Sequence, residues 1–335
     1  MRVARSITVG TFLFLSTVPS PAVEKDEVAE FQAQLSEYEA LLIKHGAKRL
    51  KRENLRELLK HPATTANDYF AAFLLVPNIA WLEKTLILKP ESPLFLQRAV
   101  AQKNWVISKR LSAAETLVKL QPDNKVGYYL LASVLAEMGK TKKAASTLQM
   151  AMAATDYKPF TAEMIQLLEP FLIKHGSSPL GAKMISTFEI LNPMMFVGLD
   201  IHRELLKKPA VLNETETAVV RKALFEAGIA VSGKSLPLSY VDELVGYATI
   251  LKSIEGMKDE QISPDNVTKV SDMRIRYETC RAEIIKKTQM MAKWNCDSLN
   301  GDTLDSYIDM FRTKGEAAAA EWLVKKHPSI KSTSK

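Results

Sequence analysis

The sequence predicts an all-α protein, and three observations carry the prediction. Apolar residues recur at helical spacing along most of the chain, as at Tyr128, Leu131, Ala132 and Leu135. Glycine is scarce, 13 in 335 residues, and with 15 prolines it punctuates those stretches. The apolar–polar alternation that marks strands is nearly absent. Apolar residues at 47% and charged residues at 25% are ordinary for a globular chain. The length suffices for a sizeable core, as two domains or one elongated array.

Taken in order, the first 22 residues read as a secretory signal peptide. Arg2 and Arg5 precede an apolar run from Ile7 to Val18, and Ser20-Pro21-Ala22 supplies small residues for cleavage after Ala22. The run falls short of the ~20 residues a spanning helix needs. A retained anchor is the alternative. Removing this segment takes away Arg2 and Arg5 and lowers the formal charge from +7 to +5. So mild an excess does not point to nucleic acid. The expected location is extracytoplasmic, periplasmic or secreted.

Residues 23–207 read as successive helical hairpins. The first runs from Val28 to about Lys60 with a turn at Gly46, and His61-Pro62 ends it. Asp68–Val76 and Ile79–Leu88 form a second, around Pro77-Asn78. Leu94 to Leu120 forms a third, with Ser112-Ala-Ala-Glu115 as a capping box opening its second helix. Asp123 to Met152 is the clearest hairpin: Tyr128, Leu131, Ala132 and Leu135 precede Gly139, and Ala144, Leu148 and Ala151 follow it. Thr161 to Pro193 repeats the register at Leu168, Leu172, Gly176, Ile185 and Pro193, with Gly181 where a packing alanine is expected. Ile43-Lys44-His45-Gly46 recurs as Ile173-Lys174-His175-Gly176. The prolines Pro90, Pro122, Pro159 and Pro193 are spaced by 32, 37 and 34 residues.

These residues resemble the tetratricopeptide repeat. Pro122, Tyr128, Leu131, Ala132, Gly139, Ala144 and Ala151 fall at that pattern's key places, while Leu135 and Leu148 replace its usual aromatics. About 125–158 fits well and about 162–195 is a degenerate copy. The resemblance implies a right-handed superhelical array whose concave face is lined by each hairpin's first helix. It implies a protein or peptide partner held in that groove, with Lys125, Tyr129, Ser133 and Ala136 as the contacts. A fold of this kind does not fix a function.

Residues 208–327 read as a separate C-terminal helical domain. Glu214–Ala227 and Tyr240–Ile254 are expected helices, a long one runs from Asp265 to Trp294 after Ser263-Pro264, and a hairpin turns at Gly315. Residues 328–335 read as a disordered tail. Sixteen residues of helix would hold Cys280 and Cys296 ~24 Å apart, against the ~7 Å a disulfide allows, which favours unbridged thiols. A helix break near Trp294-Asn295 is the alternative.

Other motifs carry less. Gly228-Ile-Ala-Val-Ser-Gly233-Lys234-Ser235 matches a phosphate-loop string. Helix precedes it where a strand is needed, and Pro237 follows where a helix should build. A helix–helix linker is the better reading, so no nucleotide is expected. Lys44, Lys48, Arg52, Arg56 and Lys60 recur every four residues, and would form one basic stripe if the helix ran through Gly46. Such a stripe is a solvated face or a patch for an anionic polymer or membrane surface. The five histidines lack metal-ligand spacing, and His45 and His175 would favour helix dipoles as partly charged imidazoles. No cofactor or metal is expected. The alternative to a scaffold is an enzyme whose site lies in the C-terminal region, recognisable by convergent carboxylates or histidines. The partner and the oligomeric state are not encoded in any of these patterns.

Overall fold

The structure is a computed structural model that describes residues 39–190, 192–207, 212–233, 239–259, 263–265, 267–291 and 299–328. The expected signal segment, Cys296, Lys234-Ser235 and residues 329–335 lie outside the described residues. What is described is all-α. After a helical stretch at residues 39–44, helices α1 to α5 span Arg52–Leu58, Ala66–Leu75, Ile79–Leu88, Pro93–Ala101 and Ile107–Leu120. Helices α6 to α10 span Lys125–Glu137, Thr141–Ala153, Thr161–Lys174, Pro179–Phe188 and Val197–Leu205. Helices α11 to α15 span Glu214–Gly233, Tyr240–Ser253, Val270–Met291, Gly301–Lys314 and Glu316–Lys326. Among the described residues no helix is long and apolar enough to cross a membrane.

Local chemistry sets many of these boundaries. Thr65 and Asp68 cap α2 reciprocally, as Ser239 and Asp242 cap α12. Asn124 accepts from Val126 N at 3.2 Å to open α6. Asn213, the first residue of a glycosylation-like triplet, accepts from Glu216 N at 2.8 Å ahead of α11. Gly139 adopts φ +73°, which only glycine takes without strain. Lys140 N then donates to Leu135 O at 2.8 Å and seals the end of α6.

Four expected boundaries shift. Ser112 sits inside α5, which opens at Ile107, because the chain already turns at 102–106. The long helix begins at Val270, since Asp265 accepts from Val267 N and Thr268 N at 3.0 Å and holds a turn. Helix α11 runs through the phosphate-loop-like string to Gly233, so Gly228–Gly233 is helix and not a linker. The reason is packing: a Cβ on Gly228 would lie 2.7 Å from Gly246 O, and one on Gly246 2.7 Å from Gly228 O. These glycines let α11 and α12 touch backbone to backbone. The basic stripe also breaks: Gly46 turns the chain at φ +72° and α1 starts only at Arg52, so Lys44 and Lys48 do not share its face.

The hairpins do not stack in sequence order. Helices α6 and α7 pair as expected and α5 packs on α6, but α7 next meets α11 while α6 meets α10. The hairpin α8–α9 instead packs through α8 on α2 and through α9 on α14. Arg312 of α14 anchors that junction, donating to Thr187 Oγ1 at 2.7 Å and Ser186 Oγ at 2.8 Å and pairing with Glu169 at 2.6 Å. Lys183 meets Asp305 and Asp309 there at 2.7 and 2.6 Å.

The turns that follow the two Ile-Lys-His-Gly strings are brought together at the start of α9. Ser178 N donates to Gly46 O at 2.8 Å, and Lys48 N to Ser177 Oγ at 3.0 Å. Gly181 is therefore not a decayed alanine. A Cβ there would sit 2.4 Å from Ala47 N. His45 and His175 are held towards neutrality, chiefly by burial and then by Lys44 and Lys174 respectively. That works against the partial charge expected of them beside the helix ends.

One hydrophobic core crosses the expected domain boundary at residue 207. It runs from Leu41 through Leu205, Val220 and Leu224 to Leu323. The α12 N-terminus is tied to the last hairpin, because Tyr240 N donates to Glu316 Oε2 at 2.7 Å.

Candidate functional site

The site is built from a break in helical apolarity. In α4 the polar pair Gln97-Arg98 interrupts Phe95-Leu96 and Ala99-Val100, all four of which are buried. Gln97 is fully buried and donates to Lys158 O at 3.0 Å. Arg98 is turned the other way, into a cavity of about 570 Å³ between α4, the turn at 102–103, α5, α6, the segment 192–196 and α10. That volume lies in the range of small-ligand sites. Val100, Leu130, Phe196 and Leu199 supply apolar wall; Arg98, Lys103, Arg110 and Arg203 supply positive charge.

Three of these cations are neutralised. Arg110 donates to Val100 O at 3.0 Å and to both Glu137 oxygens at 3.0 and 2.8 Å. Asp200 pairs with Lys103 and with Arg203, the latter at 2.9 Å, and Arg203 also meets Glu204 at 3.2 Å. Arg98 has no hydrogen bond or ion pair among the described residues, and its Nε is buried. Burial lowers its pKa to about 10, so the side chain remains a cation at neutral pH. The residue as a whole is half-buried, and of its nitrogens only Nε is cut off from solvent.

Behind the cavity lies a second polar cluster. Asn192, which lines the cavity, also interacts with Asp242 and Tyr157. Burial pushes the Asp242 carboxyl and the Tyr157 phenol up. The Tyr129 hydroxyl is buried without a hydrogen-bond partner among the described residues. Glu316 is pushed up to about 7, first by burial and then, against its bond from Tyr240 N, by Glu243 and Asp242. Carboxylates thus converge where α12 meets α15, as an enzyme in this region would require. Yet Asp242 and Glu316 serve as backbone acceptors, and neither lines the cavity.

The segment joining α7 to α8 supports this centre. Asn124 accepts from Lys158 N and donates to Lys158 O, both at 3.1 Å. Asp156 N donates to Asp123 O at 2.8 Å. Phe160, held at φ +56°, is strained for a residue with a Cβ.

The residues singled out from sequence divide accordingly. Ser133 lines the cavity, and Lys125 lines a neighbouring cleft, where it meets Glu226 at 3.2 Å. Tyr129 and Ala136 are buried at 0% and 2% exposure and face packing, so they do not form a groove wall. The reason is the stacking order: α6 packs against α4, α5, α7 and α10, so it lacks the free face an open array would leave. Lys48, Arg52, Arg56 and Lys60 are all exposed; Lys60 pairs with Glu57 at 2.7 Å. They stand far apart in role, on a loop, a helix face and a helix end, rather than as one stripe. Arg98 was missed from sequence because one arginine among 45 basic residues gives no signal by type. The interruption of an apolar run by Gln97-Arg98 was the available clue.

Among the described residues no group of histidine, cysteine, aspartate or glutamate could hold a metal ion. Cys280 is a free thiol on α13. Comparison with protein-family models, with curated proteins and with solved structures finds no match.

Proposed function

We propose that this chain is a non-enzymatic binding protein of the cell envelope, a tetratricopeptide-like helical scaffold that captures a segment of a partner protein. The observation that carries the reading is the cavity beside α6, which joins apolar wall to an unanswered cation within a rigid helical frame. Recognition sites combine these two features, one giving affinity and the other orientation. The open concave groove implied by the repeat resemblance gives way to this narrower pocket, to which Ser133 and Leu130 of the same helix contribute. The envelope location rests on Arg2, Arg5 and the apolar run Ile7–Val18.

Two measurements test the reading. A C-terminally tagged chain, crosslinked in intact cells and purified from the envelope fraction, should bring down one stoichiometric protein. Recovery of the chain alone, after correct export, would contradict it. N-terminal sequencing of the exported protein should begin at Val23; an intact Met1 on envelope-associated material would make the N-terminus an anchor.

A further inference from the structure

We infer that the Arg98 cavity is a monocarboxylate site, receiving a single carboxylate that carries an apolar group. The inference rests on the reading above, in which the cavity receives part of a partner, and it names the chemistry of what enters. Charge sets the first constraint. Four cations surround the cavity, and Glu137, Asp200 and Glu204 answer all but Arg98. Arg98 itself carries one unit of charge, which matches a carboxylate better than a phosphate near −2. Geometry sets the second. A guanidinium presents a planar fork of donors that suits a carboxylate. The third is the wall: Val100, Leu130, Phe196 and Leu199 form an apolar face for the rest of the ligand, with Gln102, Ser133 and Asn192 as the neutral polar groups of the same cavity.

Two sources share this chemistry. One is the C-terminal carboxylate of a protein ending in an apolar residue. The other is a free apolar acid. The cavity at about 570 Å³ holds either a terminal residue or a short acid.

The test is a calorimetric titration of the full chain with four probes. These are pentanoate, pentanamide, and an N-acetylated hexapeptide ending in leucine with a free or an amidated carboxyl. Each acid should bind at least about tenfold more tightly than its amide, the value of one charge-assisted hydrogen bond pair. Arg98→Met should remove that preference. Leu199→Phe, which fills the wall and leaves the charge, should weaken both acids. A free-carboxyl peptide binding more tightly than pentanoate assigns the site to a protein terminus, and the reverse order to a small acid. Acids and amides binding alike, or neither binding, would overturn the inference.

Arg98→Met should also melt close to the wild type, because the half-buried side chain makes no hydrogen bond or ion pair among the described residues. A large fall in melting temperature would mean that Arg98 holds the fold together, and would overturn the inference too. Partner capture provides the separate arm. Wild-type crosslinking that recovers no protein defeats the scaffold reading while a carboxylate preference survives. Capture that persists in Arg98→Met, with no acid preference in the wild type, defeats the carboxylate site alone.

Discussion

Buried ionisable side chains decide the chemistry of this molecule at the scale of single residues. Arg98 is kept charged without a partner, whereas Glu316 is pushed up to about 7 by burial. The second case gives a pH prediction. A carboxyl whose folded pKa lies above its unfolded value makes the folded state bind more protons between about 4.5 and 7. Stability therefore falls as pH rises through that window and levels off above it. Glu316→Gln keeps an acceptor for Tyr240 N and removes the ionisation. It should stabilise the protein at pH 8 by up to about 3 kcal/mol and change little at pH 4. Urea denaturation at both pH values measures this. Asp242 and Glu243, also raised by burial, leave the variant a smaller residual slope of the same sign.

Helices and turns were largely legible in the sequence. Pro122, Asn124 and Gly139 bracket α6 as local rules require, and Ser239 with Asp242 opens α12. What misled was close packing. Gly181 and Gly228 look like weakened repeat positions or linker glycines, but each admits a neighbouring backbone where a methyl would collide. Local periodicity cannot distinguish these cases, because the second element comes from a distant part of the chain. Gly181→Ala should destabilise the protein by about 1–3 kcal/mol, through overpacking against residues 46–47. Gly139→Ala should cost about 1 kcal/mol, since only its φ is disfavoured and a Cβ there meets open space. Equal losses in chemical denaturation would refute the close-approach account.

The whole molecule departs furthest from what the sequence suggested. The hairpins that fall wholly within the described residues were visible, but the order in which hairpins meet depends on complementary faces far apart in the chain, such as α8 on α2 and α7 on α11. For the same reason Tyr129 and Ala136, read as groove residues, are packed, and the cavity beside Arg98 was not visible as a site. One core runs from Leu41 to Leu323. The 212–328 part should therefore not melt separately, and calorimetry should give one cooperative transition. Two resolved transitions would restore a boundary near residue 207.

Under the proposed function the partner enters the cavity between α4, α6 and α10. This is tested most directly by placing a photoreactive side chain at Leu199, on the cavity wall, or at Lys142, on the exposed face of α7, and irradiating intact cells. Partner entry there should give a discrete crosslinked species from position 199 and none from 142, with the band at 199 lost when Arg98→Met is added. A band from 142 alone, or bands of equal strength from both positions, would contradict it.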